Sequence, residues 1–176
     1  MTNWYFIHRL LLLAALGCAF FLAQPAVTAQ GPDGPQERKL DRASKVTVQN
    51  KTGQITLIGW DGDTVRASAT RGGESMPVHM TEEVQDGLVI SPDPRGGGDI
   101  SLEVTVPRSV QLVSATAASA SVAVEGFDHA VTIVAASGNV RVAKVGSVEA
   151  RTASGTMVVE DVAGAARVST QSGDLE

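Results

Sequence analysis

Beyond the first 29 residues the chain has only two histidines, His79 and His129, as candidates for proton transfer near neutral pH. They are far apart in sequence. Asp128 adjoins His129, but neighbours on a strand point to opposite faces, so the two cannot meet as a catalytic pair. An exposed loop pair at a corner of a coil is the expectation. Asp61-Gly62-Asp63 has the residue types of a calcium loop. It lacks the further aspartate and the later bidentate glutamate of the helix-loop-helix calcium site, and no Gly-Gly-x-Gly-x-Asp repeat accompanies it. A turn is the simpler reading. Arg95-Gly96-Gly97-Gly98 is followed by neither a Lys-Ser/Thr pair nor a helical pattern, so it is no phosphate loop. His-Glu-x-x-His, a Cys/His cluster and the Gly-x-Ser-x-Gly elbow are all absent from the sequence. These residues lead us to expect no catalytic site, no cofactor site, no metal site and no enzyme activity.

The many serines have a geometric origin. Ser137-Gly138, Ser154-Gly155 and Ser172-Gly173 recur at spacings of 17 and 18 residues, and Ser119-Ala120 stands 18 residues upstream of the first. Apolar positions move in the same frame: Val113, Val131, Val148 and Ala166; Val122, Val140, Met157 and Leu175; Val124, Val142 and Val159; Phe127, Val145 and Val162. A fixed period marks a repeat architecture. Within each unit Val, Ile, Thr and Ala alternate with period two, which reads as strand. The phase slips at Ser-Gly and again between Val142 and Val145, as it must where a chain turns while keeping its apolar residues inward. These features predict an all-β, single-domain β-solenoid, parallel β-helix-like, with coils of 17–18 residues. β-hairpins with Ser-Gly as two-residue turns are the rival arrangement. The sequence stops three residues after the last Ser-Gly corner, so a solenoid uncapped at its C-terminus, a C-terminally incomplete one, is expected.

The ends of the chain carry other signals. Arg9 precedes an uncharged apolar run, Leu10–Ala23, and Val27-Thr28-Ala29 supplies small residues at a peptidase site. Residues 1–29 therefore read as a secretory signal peptide, cut after Ala29. Membrane anchoring would need about 20 apolar residues. Cys18, the only cysteine, sits in a faint lipobox, Ala15-Leu16-Gly17-Cys18, but apolar residues follow it where a tether would be polar. Arg9 is the only one of the 14 Lys and Arg within residues 1–29, which leaves 13 against 19 Asp and Glu, a net charge of −6. That balance argues against nucleic acid as a partner. Trp60 and Phe127 are the remaining aromatics, too few for a stacking platform; Trp60 is expected to pack in the fold.

Between the ends, residues 30–45 read as a flexible lead-in rich in Gly, Pro and charge. The folded domain is placed at 46–176. Val46, Val48, Thr52-Gly53, Ile55 and Leu57 repeat the later frame, with Thr-Gly at the corner. Val65–Thr70, Val78–Met80, Leu88–Ile90 and Ile100–Val106 read as further strands, and Ser91–Gly98 as a loop.

Val48-x-Asn50-x-x-Gly53-x-Ile55, then Gly59-Trp60-Asp61, the strand ISLEVTVP over Ile100–Pro107, and the corners Ala136-Ser137-Gly138 and Ala153-Ser154-Gly155 resemble the bacterial exported domains labelled "putative adhesin". The likeness covers about Val46 to Glu176. It implies an extracytoplasmic β-solenoid at the cell envelope, periplasmic, cell-surface or extracellular, and it brings no catalytic residues. The expected function is a non-enzymatic binding or structural module whose partner is an envelope or surface component, protein or glycan. Self-association through the C-terminal edge is a further expectation. The alternatives are a carbohydrate-cleaving enzyme on a parallel β-helix, which would need acid and base residues gathered on one face, and an accessory of envelope-stress signalling.

Overall fold

The computed structural model describes residues 34–40, 45–83, 87–93, 95 and 97–176. The signal-peptide reading, with Cys18 and the cut after Ala29, lies outside them. The described residues form β-strands and connections without a helix, and all strands join one sheet that does not close on itself.

Five strands carry the repeat: β2 (Lys45–Trp60), β8 (Leu112–Ser137), β9 (Val140–Ser154), β10 (Met157–Val162) and β11 (Ala166–Ser172). They pair in parallel and in the frame the sequence sets out. Val122 faces Val140 and Val131 faces Val148 across β8 and β9; Met157 faces Val140, and Ala166 faces Val148. Leu175 bridges to Met157. β8 also turns back beside itself, so that Ser137 Oγ donates to Ser119 Oγ at 3.2 Å. Equivalent residues thus sit above one another at the strand spacing of about 4.8 Å, and the small Val, Ala and Thr side chains of each column pack without strain. The interior columns are buried from Val46 to Val142, with Phe127, Ile55 and Leu57 as their largest members.

The corners explain the slips of phase. Gly138 and Gly155 adopt φ of 118° and 119°, and a Cβ on either would strike the carbonyl oxygen of Ala120 or Gly138 in the layer below. Only glycine combines that backbone with that approach. At the second slip Gly126, Lys144 and Asp161 occupy equivalent positions, and all three have positive φ. A bulge follows on β8, where Asp128 and His129 stand against Gly146 alone. That extra residue separates the 18-residue unit from the 17-residue one.

The other end of the stack is built differently. β6 (Gly87–Pro92) and β7 (Ile100–Pro107) lie parallel on the two halves of β2, pairing Val46 with Leu88 and Ile55 with Leu102. They make one more layer, in which the connection from β6 to β7 is longer than the tight corner of the later layers. Asn50 is buried and ties that wide corner down, its Nδ2 donating to the carbonyl of Ile100 at 2.8 Å. Antiparallel strands then cover the layer: β3 (Thr64–Arg71) on β7, β5 (Val78–Glu83) on β6, and β4 (Glu74–Met76) on β3. β1 (Gln36–Lys39) pairs antiparallel with β3. This corrects the reading of residues 30–45 as a flexible lead-in throughout. Its polar sequence has no apolar period to reveal a strand; Arg66–Glu37 at 2.9 Å, Lys39–Asp63 at 2.9 Å and Arg38–Glu82 at 2.6 Å accompany its ladder.

Candidate functional site

A basin opens near the end of β2, where Gly59 lies close against Gly126 of β8. Gly59 ends the β2 contribution, and a Cβ there would collide with the carbonyl oxygen of Gly126 on β8. Beside this close approach lies a hollow of about 450 Å³ lined by Ile58, Gly59, Arg108, Glu125, Gly126, Asp128 and Lys144. It is open to solvent on one side. A smaller trough of about 130 Å³ adjoins it along the same sheet face, sharing Ile58 and Glu125 and floored by Thr56, Ala123 and Ala143.

The repeat positions most of the charges. Glu125 sits opposite Ala143, so Lys144 is one residue further along the neighbouring strand and its Nζ reaches Glu125 Oε1 at 2.7 Å. The hydrogen bond to Lys144 holds the Glu125 carboxyl below its ordinary range, and the same bond raises the Lys144 ammonium. Arg108 comes from the turn between β7 and β8. Its backbone N–H donates to the Trp60 carbonyl at 3.0 Å, and its Nε approaches Asp61 Oδ1 at 3.0 Å. That Nε is buried and makes no well-aligned hydrogen bond. Asp128 is exposed on the β8 bulge; no ion pair engages it among the described residues. Arg141, on the rim of the trough, pairs with Glu160 at 2.8 Å.

Of the residues singled out by type alone, Asp128 lines the basin and the others fall elsewhere. His79 lies on β5, with Nε2 3.8 Å from Asp93 Oδ2. Asp93 is buried and doubly engaged by Arg95, and that contact lowers its carboxyl to about 2. His129 is exposed beside Asp128 on the bulge, inside β8 rather than in a loop. Asp61 and Asp63 occupy the expected turn but pair with different cations, Arg108 and Lys39. Among the described residues no group of three His, Cys, Asp or Glu could share a metal ion. Gly97 and Gly98 lie in the wide corner, where Gly98 O accepts from Thr52 Oγ1 at 2.7 Å and Gly97 O from Arg71 at 3.2 Å. Trp60 is half-buried, donates Nε1–H to the Thr64 carbonyl at 2.9 Å and carries Arg66 over its ring at 4.9 Å. Sequence reasoning passed over the basin. Its signal was present in the frame: a column offset of 18 places Glu125 beside Lys144.

No protein-family profile matches the chain, and no curated protein matches it. Solved structures do. The crystal structure of a putative cell adhesion protein from Clostridium sporogenes superposes with a TM-score of 0.58 at 8% identity, over 81% of this chain and 97% of that one. A putative adhesin from Bacteroides fragilis gives a TM-score of 0.39 at 12% identity, over 80% and 94% of the two chains. The Clostridium protein therefore shares this fold. The sequence resemblance pointed to neighbours of that description.

Proposed function

We propose that the chain is an exported, non-enzymatic cell-envelope or surface protein of β-solenoid build that serves as an adhesin-like binding module. The observation that carries this reading is the fold shared with the putative cell adhesion protein from Clostridium sporogenes. The parallel register at offsets of 17 and 18 residues supports the solenoid, and the apolar N-terminal run supports export. Binding fits the basin better than hydrolysis does. Glycoside cleavage needs one carboxyl with a raised pKa as proton donor. Glu125 is pushed the other way by Lys144, which leaves Asp128 without a partner acid. Self-association is proposed at β11, whose only strand neighbour among the described residues is β9; a second copy could add a strand there.

The test is a pull-down from envelope extract with the full chain as bait. Saturable capture of an envelope component, with no release of sugar from envelope polysaccharide, is the expected result. Sugar release that Asp128→Asn abolishes would replace the binding module by the enzyme.

A further inference from the structure

We propose that the basin binds a neutral, hydroxyl-rich ligand, a short stretch of uncharged glycan, with Asp128 as the anchoring acceptor. The inference rests on the binding-module reading and names the ligand class of its site.

The charge pattern carries it. Both cations of the basin are already engaged, Lys144 by Glu125 and Arg108 by Asp61. An anionic ligand would meet Glu125 and Asp128 while having to compete for either cation. A cationic ligand would meet Asp128, but also Lys144 and Arg108 on the same walls. Like charges brought together in a concavity repel more strongly than in open water. A neutral polyol meets neither obstacle. Each hydroxyl both donates and accepts, so it can donate to the unengaged Asp128 carboxylate and accept from Lys144 or Arg108 while both ion pairs stay in place. Hydrogen bonds to charged groups are the stronger kind.

Shape agrees with charge. The hollow of about 450 Å³ lies within the ~300–1,000 Å³ of small-ligand sites. Gly59 and Gly126 leave backbone at its floor, and Ile58, 39% exposed, offers an apolar contact for the C–H face of a ring. The adjoining trough over Ala123 and Ala143 continues the surface along the sheet, which suits an extended chain rather than an enclosed monosaccharide. No aromatic side chain lines either hollow, so hydrogen bonds supply the affinity and millimolar binding is expected.

The test is an amide-shift titration of the isotope-labelled full chain. The probes are neutral trisaccharides of gluco, galacto, manno and N-acetylated gluco configuration, with trigalacturonate and the chitosan trimer as charged comparators. At least one neutral probe should give saturable shifts centred on Ile58, Gly59, Gly126 and Asp128, and both charged probes should bind at least ~10-fold more weakly. Asp128→Ala should weaken that probe at least ~10-fold at unchanged Tm, and Asp128→Asn, which keeps an acceptor, should lose less. Silence from every neutral probe, preference for a charged one, or shifts centred elsewhere overturns the inference. Capture of a protein from envelope extract equally by the wild type and Asp128→Ala, with every neutral probe silent, keeps the binding-module reading and rejects the glycan.

Discussion

The two ends of the strand stack share one interior frame and are finished differently. At the N-terminal end Leu88, Ile90, Leu102 and Val104 are at most 1% exposed, because β3 and β5 lie antiparallel across their strands. At the C-terminal end the same columns open to solvent: Val168 is only partly buried, Ala166 is exposed, and Leu175 is 53% exposed. Sequence frame alone does not bury a residue. A repeat stacked between two neighbours is dry, and one with a single neighbour is not. The covered end also carries ion pairs on its outermost strands, Arg38–Glu82, Lys39–Asp63 and Arg66–Glu37. Charges on edge strands discourage pairing with other chains.

The largest effect should come from placing a charge in the middle of the stack. Val142 is completely buried between Val124 and Val159. Val142→Asp loses roughly 1.5–3 kcal/mol of side-chain burial and adds an unpaired buried carboxylate, so the domain should fail to fold cooperatively. Val168→Asp, in the open layer, should lower Tm by much less. Equal losses in a thermal melt would erase the difference between layers.

Next comes the corner. Gly155→Ala places a Cβ against the Gly138 carbonyl at φ 119°, and should cost about 1–3 kcal/mol. Gly72→Ala, at φ 59° with open space around it, should cost less. Chemical denaturation would compare them directly.

A smaller effect separates the ends by pH. Asp93 is specific to the wide corner of the covered end, and Arg95 depresses its carboxyl to about 2 from an ordinary 3.8. A depressed pKa means the contribution is intact above about pH 4 and lost as pH falls through about 2. Asp93→Asn should therefore narrow the Tm difference between pH 5 and pH 2 relative to the wild type. Curves that stay parallel would remove Asp93 from the acid limb.

The smallest effect is on the outside. Arg141 is exposed and its pair with Glu160 is a surface one, so Arg141→Asp should change stability by about 1 kcal/mol or less.

The repeat was legible because its constraints are local and periodic. Val124, Val142 and Val159 could be aligned by counting, and the phase slip between Val142 and Val145 marked the turn where Lys144 adopts φ 52°. β1 was illegible for the opposite reason: Gln36-Glu37-Arg38-Lys39 gains its ladder from a strand about 30 residues away, through backbone groups that every sequence has. The layer of β6 and β7 escaped because the segment between them breaks the period. The basin escaped because Ile58, Arg108, Asp128 and Lys144 meet only when the layers stack, and no motif ties those positions together. The sequence correctly read the turn at Asp61–Asp63, yet the partners of its two carboxylates, Arg108 and Lys39, depend on the fold.

Residue-resolved hydrogen exchange on the full chain tests the stacked-layer account most directly, since local opening follows the number of stabilising neighbours. Amides of Val122–Glu125 and Val140–Ala143, each held between two layers, should be the slowest. Protection should fall through β10 and be lowest over Val168–Leu175. Uniformly slow exchange through Leu175, or a slow β11 beside a fast β8, would contradict it.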